Sequence, residues 1–144
     1  MLIPIKGNML ESDCQTITTP VNCVGAMGAG LALQIKKIYP TVNPFYRFQC
    51  SVGRLVPGKP MIYNAITPQI LLFPTKNHWK DPSRIEWIEY GLDYIVNNYK
   101  RFGITSLAIP PLGCGLGGLN WIDVNALIQK HMSKLDIKVE IYIP

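Results

Sequence analysis

The sequence lacks any long apolar run. No stretch of its 144 residues approaches the roughly 20 consecutive apolar residues that a transmembrane helix needs. Residues 1–6 also lack the extended apolar core and the small-residue cleavage site of a signal peptide. From these absences we expect a cytoplasmic protein with no membrane partner, and the length predicts a single domain over residues 1–144.

Cysteine and histidine are sparse and scattered. The four cysteines form no C-x-x-C pair, and the two histidines lie far apart in the sequence. This spacing argues against a zinc site, and the sequence predicts neither a metal nor a cofactor. In a cytoplasmic protein we expect the thiols to be reduced and mostly packed.

Acidic residues are almost absent from the middle of the chain. Between positions 36 and 84, eight lysines and arginines stand against the single acid Asp81, a net charge of +7 in a chain whose total is +5. This imbalance fits an anionic partner, with single-stranded nucleic acid among the candidates. It fits an ordinary solvated basic surface equally well.

The chain does contain a regular alternation of strand-like and helix-like segments. Strands are predicted at 1–6, 15–22, 61–65, 70–73, 105–110 and 138–143, with Pro20 marking a bulge or a strand end. Helices are predicted at 31–39, 43–50, 82–102 and 121–135, the third capped by Asp81 and stopped by Gly103. Interleaved strands and helices indicate an α/β protein, a three-layer α/β/α sandwich.

Seven of the twelve glycines fall in two short loops, 24–30 and 110–118, and each loop lies between a strand and a helix. Glycine lets backbone N–H groups approach an anion closely, and a helix beginning after such a loop adds unpaired N–H groups. One such loop is more often only a tight turn, whereas two favour a cleft that holds a diphosphate. Neither loop has the spacing of the common nucleotide-binding fingerprints.

Polar residues lie at the end of one predicted strand and just past the end of another, at the edge where these loops gather. The carboxamide of Asn22 either binds a ribose hydroxyl or forms an Asx turn that shapes the first loop. Lys76 is either a nucleophile or base toward a sugar, or a plain phosphate-facing or solvent lysine. Trp79 is expected to pack rather than to stack on a base, and His78 to be structural.

Four segments taken together, 7–10, 21–32, 73–79 and 109–121, resemble a macro domain. Within that family the sequence resembles the branch of the DNA ADP-ribosyl glycohydrolases, the antitoxin partners of thymidine-modifying ADP-ribosyltransferase toxins. The terminal ADP-ribose protein glycohydrolases form a related branch. The resemblance spans essentially the whole chain and implies a mixed central sheet of about six strands and a cleft for ADP-ribose.

The resemblance also implies roles for individual residues. Asn8 would face the adenine, Asn22 would lie by the distal ribose, and Lys76 would stand at the ribose carbon where the glycosidic bond breaks. In the related branch an aspartate of the second loop helps the lysine; here that position is Gly117, so Lys76 would act alone. The residues expected to contact ADP-ribose are Asn8, Gly25, Met27, Gly28, Gly30, Leu31, Thr75, Gly113, Cys114, Gly115, Leu116 and Gly117.

Two departures from the family pattern bear on the substrate. Asn8 stands where many macro domains have an aspartate, and Thr18-Thr19-Pro20 replaces the usual Val-Asn-x before the second Val-Asn pair. The predicted function is removal of ADP-ribose from a modified macromolecule, with a DNA base slightly preferred over protein. A non-catalytic reader of ADP-ribose or a related nucleotide signal, and an ADP-ribose 1″-phosphate phosphatase, are the alternatives. ADP-ribosylated DNA or protein is the expected partner, together with a toxin outside this chain.

Overall fold

The computed structural model describes residues 1–144 and contains six β-strands and four α-helices. In chain order these are β1 (Leu2–Ile5), β2 (Thr16–Val21), α1 (Gly30–Ile38), α2 (Val42–Ser51), β3 (Met61–Tyr63), β4 (Gln69–Pro74), α3 (Ile85–Asn98), β5 (Ser106–Ile109), α4 (Trp121–Met132) and β6 (Lys138–Tyr142). A short 3₁₀ helix, Met9–Glu11, lies between β1 and β2. None of the helices combines the length and the apolar character needed to cross a membrane.

The six strands form one mixed sheet in the order β1-β6-β5-β2-β4-β3. All neighbours are parallel except β3, which runs antiparallel to β4. Helices α3 and α4 contribute to the core on one face of the sheet, and α1 and α2 to the core on the other. The predicted three-layer sandwich with a mixed six-stranded sheet is therefore confirmed.

Strand β4 shows why the sheet needs helices on both sides. Ile70 and Leu72 belong to the core beneath α1 and α2, whereas Leu71 and Phe73 belong to the core beneath α3 and α4, and all four are fully buried. Side chains alternate between the faces of a strand, so an unbroken apolar run requires cover on both. The Phe73 ring lies so close to α3 that a Cβ at Gly91 would overlap it.

The third helix begins later than the sequence predicts. Helix α3 starts at Ile85 rather than at Pro82, so the prediction that Asp81 caps it is wrong. The N–H of Ser83 instead donates to the carbonyl of Gly117, at 3.0 Å. A hydrogen bond to a loop far along the chain thus holds this segment out of the helix, although its local sequence favours helix.

Other element ends differ from the predictions by a few residues. Helix α4 begins as predicted, where the Asn120 Oδ1 accepts from the Ile122 N–H at 2.8 Å, but it ends earlier, at Met132. Helix α3 also ends early, at Asn98, and the turn after it is closed by Gly103 with a φ of +70°. Each strand end lies within two residues of its predicted position.

Strand β2 is paired with β4 along its whole length but with β5 only at its start. Its last partner in β5 is Ala108, opposite Ile17, whereas pairing with β4 continues to Val21. The Val21 carbonyl accepts from the Thr75 N–H on the β4 side. Because backbone groups alternate sides along a strand, the nitrogen of Pro20 faces the β5 side, where pairing has ended. The proline therefore costs no ladder bond, and a gap opens between the ends of β2 and β5.

Candidate functional site

A cavity of about 1010 Å³ occupies this gap at the carboxyl ends of β2, β4 and β5. Ligands of parallel α/β sheets bind at this edge, and the volume is at the upper end of the roughly 300–1,000 Å³ typical of ligand pockets. Eleven of the fourteen predicted site residues line it: Asn22, Gly28, Gly30, Leu31, Thr75, Lys76, Gly113, Cys114, Gly115, Leu116 and Gly117. The tertiary structure therefore brings both glycine loops and both predicted catalytic residues to one cleft.

Three predicted ligand contacts lie outside the cavity lining. Asn8 is exposed, and its Oδ1 accepts from the Leu10 N–H at 3.0 Å, which caps the 3₁₀ helix. Gly25 adopts a φ of +86° and packs against Arg47, so its glycine is needed for the turn itself. Met27 is 2% exposed and packs in the core beneath α1 and α2.

Backbone N–H groups of both loops are left without partners inside the protein. Along the cavity, in the first loop and the first turn of α1, these belong to residues 28–32, where Ala29 caps α1 with no side-chain hydrogen bond. Along the cavity in the second loop they belong to Gly113 and to residues 115–117. Unpaired N–H groups gathered around a cavity form a site for an anion. At the start of helix α4, the Asn120 side chain pairs the Ile122 N–H, so that group is not available to the site.

Two of the loop glycines have no structural reason to be glycine. Gly28 and Gly115 adopt no positive φ, and a Cβ at either position would meet no atom within 4 Å. Both line the cavity, so the open space in front of them is the cleft. Glycine at such a position allows close approach of backbone to a ligand, which favours the ligand interpretation of the loops over the tight-turn interpretation.

Asn22 is held by the first glycine loop. Its Oδ1 accepts from the N–H groups of Val24 and Ala26, at 3.1 and 3.3 Å, and its Nδ2 donates to the Ala26 carbonyl at 2.8 Å. The buried Tyr46 hydroxyl lies 2.7 Å from both Oδ1 and the backbone oxygen of Asn22. Nδ2 makes only the one hydrogen bond to the Ala26 carbonyl, so its second hydrogen has no partner, and Asn22 lines the cavity. The side chain thus shapes the loop and has one donor left for a ligand.

Replacing Asn22 by alanine is expected to lower the free energy of unfolding by about 1–3 kcal/mol, because loop N–H groups lose their acceptor. Tyr46→Phe serves as the matched variant and is expected to cost less, about 1 kcal/mol, because it removes a single donor. Urea unfolding followed by circular dichroism measures both. An Asn22→Ala protein as stable as wild type would show that the loop does not depend on this side chain.

Lys76 lies between the segment after β4 and the second glycine loop. Its side chain is partly exposed, and its Nζ lies 3.4 Å from the carbonyl oxygens of both Trp79 and Leu116. Both contacts are longer than a strong N–H···O bond. The ammonium group therefore reaches across to the second loop and keeps donor capacity for a ligand in the cavity that it lines.

The cysteines near the cleft are not activated. Cys114 lines the cavity, but burial raises the pKa of its thiol. Beneath the first loop, burial and then the neighbouring Cys50 raise the pKa of Cys23 to about 12. Because the thiolate is the reactive form of cysteine, these thiols are poor nucleophiles, and Lys76 is the ionisable side chain that the cleft offers for chemistry.

Trp79 and Ser83 are among the cavity-lining residues that the sequence did not assign to the cleft. Trp79 lines the cavity and is 54% exposed, so the expectation that it packs is wrong; the Lys80 Nζ lies 5.1 Å from its ring centroid. His78 accepts from the Lys80 N–H at 3.1 Å through Nδ1, in keeping with a structural role. Ser83 also lines the cavity. Nothing local marks Ser83, because its neighbours in the cleft come from a distant loop.

A family model described as Macro domain matches residues 18–128. The chain aligns at 43% identity, over 159 alignment positions, with the DNA ADP-ribosyl transferase-DNA ADP-ribosyl glycohydrolase fusion protein of Thermosipho africanus. The alignment covers 97% of this chain and 41% of that protein. It also aligns at 38% identity, over 149 alignment positions, with the DNA ADP-ribosyl glycohydrolase of Thermus aquaticus. That alignment covers 100% of this chain and 41% of that protein. The chain thus spans 41% of the length of both curated relatives.

A solved structure described as Thermosipho africanus DarTG in complex with ADP-ribose has the same fold. It superposes with a TM-score of 0.95 at 44% sequence identity, covering 99% of this chain and 41% of that chain.

Proposed function

The chain belongs to the macro domain family, and from this premise we propose that its cleft binds ADP-ribose and releases it from a modified macromolecule. The observation that carries the proposal is the set of unpaired N–H groups on two facing loops, with Lys76 beside them. The N–H groups would hold the diphosphate between the loops. The similar proteins named as glycohydrolases, and the solved complex with ADP-ribose, support the same ligand and reaction.

The proposed reaction breaks the bond between C1″ of the distal ribose and the modified group, and water supplies the new hydroxyl. The departing group takes up a proton. Lys76 would polarise or deprotonate at the distal ribose, and the free Nδ2 hydrogen of Asn22 would position a ribose hydroxyl. Gly117 offers no carboxylate to assist, so Lys76 carries the chemistry alone.

We further infer that the acceptor is a DNA base rather than a protein side chain. The cavity wall presents the exposed Trp79 and, on the second loop, Leu116, which is 79% exposed. Lysines 76 and 80 lie beside them. Exposed aromatic and apolar side chains among cations suit an unpaired base and its phosphates. A DNA-modifying ADP-ribosyltransferase would then supply the substrate, as the fused Thermosipho africanus relative indicates, and it is the proposed toxin partner.

The test compares two substrates that carry ADP-ribose on different acceptors. Purified protein is incubated with ADP-ribosylated single-stranded DNA and with an ADP-ribosylated protein, and released ADP-ribose is quantified by chromatography. We expect release from both, with at least about tenfold higher kcat/KM on DNA, about 1.4 kcal/mol of selectivity.

Three other outcomes would redirect the assignment. Equal or faster release from protein would overturn the preference for DNA. Tight ADP-ribose binding without turnover of either substrate would identify a reader. Release of inorganic phosphate from ADP-ribose 1″-phosphate, without glycosidic cleavage, would identify a phosphatase.

A further inference from the structure

Ser83 presents a buried hydroxyl without a partner in the wall of the cleft. The residue is 6% exposed and lines the cavity, and its Oγ makes no hydrogen bond. A buried hydroxyl without a partner is destabilising, because it has lost its bonds to water. Folding alone therefore gives no reason for a hydroxyl at this position.

The second glycine loop is built against this residue. The Ser83 N–H donates to the Gly117 carbonyl at 3.0 Å, and a Cβ at Gly113 would lie 3.2 Å from the Ser83 Cβ. A Cβ at Gly117 would overlap the Ser83 Oγ. Gly117 adopts no positive φ, so steric contact rather than backbone conformation requires glycine there. The hydroxyl thus occupies the space that a side chain at 117 would fill.

We propose that the Ser83 hydroxyl binds the ligand, donating a hydrogen bond to a phosphate oxygen held by the second glycine loop. The N–H groups of Gly113 and residues 115–117 are unpaired in the loop that packs on Ser83, so the hydroxyl would add one donor to a loop suited to an anion. The inference rests on the proposed function, because it takes the phosphate to be that of ADP-ribose.

The backbone at Gly117 covers the hydroxyl, so pairing requires a small displacement of the loop. Two hydrogen bonds join residues 115–117 to parts of the protein outside the loop. The Ser83 N–H donates to the Gly117 carbonyl, and the Lys76 Nζ donates to the Leu116 carbonyl. The second is long, at 3.4 Å. A Cβ at Gly115 would meet no atom within 4 Å, so packing does not oppose movement of the loop toward the cavity.

The test is Ser83→Ala, with ADP-ribose and ADP as probes in titration calorimetry and thermal unfolding of the free protein as the second readout. We expect affinity for both ligands to fall about fivefold to tenfold, the loss of one hydrogen bond. The unfolding temperature should equal or exceed that of wild type, because the mutation removes an unpaired hydroxyl. Thr18→Val is the matched control, since the Thr18 Oγ1 is also buried and unpaired but lies outside the cavity lining. It should leave both affinities unchanged.

The outcomes separate this inference from the proposed function. Unchanged ADP-ribose affinity in Ser83→Ala, beside wild type that binds, would overturn the inference alone. A lowered unfolding temperature would assign the hydroxyl a structural role and overturn it equally. A loss confined to ADP-ribose, with ADP unaffected, would move the contact from phosphate to the distal sugar and refute the phosphate assignment. Wild type that binds neither ligand would instead refute the proposed function.

Discussion

Replacing Lys76 by alanine is expected to lower the rate of ADP-ribose release by at least about a hundredfold, the lower range for loss of a positioned proton-transfer group. The effect should fall on kcat, because the proposed diphosphate contacts are to backbone N–H groups that the mutation leaves in place. The Nζ contacts within the protein are long, at 3.4 Å each, so their loss should not displace the second loop, and ADP-ribose affinity should change by less than about fivefold. Initial rates on ADP-ribosylated single-stranded DNA, together with calorimetry, measure both quantities.

Two further variants give this experiment its controls. Lys134→Ala removes an exposed lysine outside the cavity lining and should retain the wild-type rate. Lys76→Arg keeps the charge but replaces a compact amine with a planar group that does not give up its proton, so turnover should stay low. Equal rates for wild type and Lys76→Ala would remove Lys76 from the mechanism, and full activity in Lys76→Arg would reduce its role to charge.

Valine at Gly115 is expected to weaken ADP-ribose binding by at least about a hundredfold while leaving thermal stability unchanged. A Cβ at this position would meet no protein atom within 4 Å, and Gly115 lines the cavity that is proposed to hold the ligand. The fold does not require glycine there, so we expect it to allow close approach of the proposed ligand to the backbone. Calorimetry with ADP-ribose and a thermal melt of the free protein measure the two effects.

Gly117→Ala is the contrasting variant in the same loop. Its Cβ would overlap the Ser83 hydroxyl and come within 2.5 Å of the Gly113 carbonyl oxygen, so we expect a loss of about 1–3 kcal/mol of stability from overpacking. A stability loss at Gly115 equal to that at Gly117 would contradict the distinction between the two glycines. Wild-type affinity in Gly115→Val would show that the ligand does not approach this part of the loop.

Local periodicity accounts for most of the fold. The unbroken apolar run of β4 predicts a strand buried on both faces, and residues 70–73 are fully buried. The prediction fails at the start of α3, where Asp81 and Pro82 are good local signals for a helix that begins only at Ile85. These local signals reflect only the preferences of neighbouring residues. The hydrogen bond from the Ser83 N–H to the Gly117 carbonyl involves a residue far along the chain, which the local sequence does not reveal.

The candidate site is less accessible to such reasoning. Trp79 is exposed, although the sequence predicts that it packs. Composition alone does not tell which aromatic side chain lies at the rim of a cleft. Asn22 left two interpretations open, and the distant Tyr46 hydroxyl and the loop N–H groups favour the loop-shaping one while leaving a single donor free. The roles predicted for Asn8, Gly25 and Met27 stay predictions, on residues that the structure places outside the cavity lining.

By itself, the sequence determined the order of strands and helices and the two glycine loops, because periodicity and glycine content act over a few neighbouring residues. Only the tertiary structure decided that β2 and β5 part after Ala108, that two rows of N–H groups remain unpaired, and that Ser83 lies under Gly117. These features depend on which distant groups satisfy one another's hydrogen bonds and fill one another's space. That competition is resolved only when the whole chain is packed.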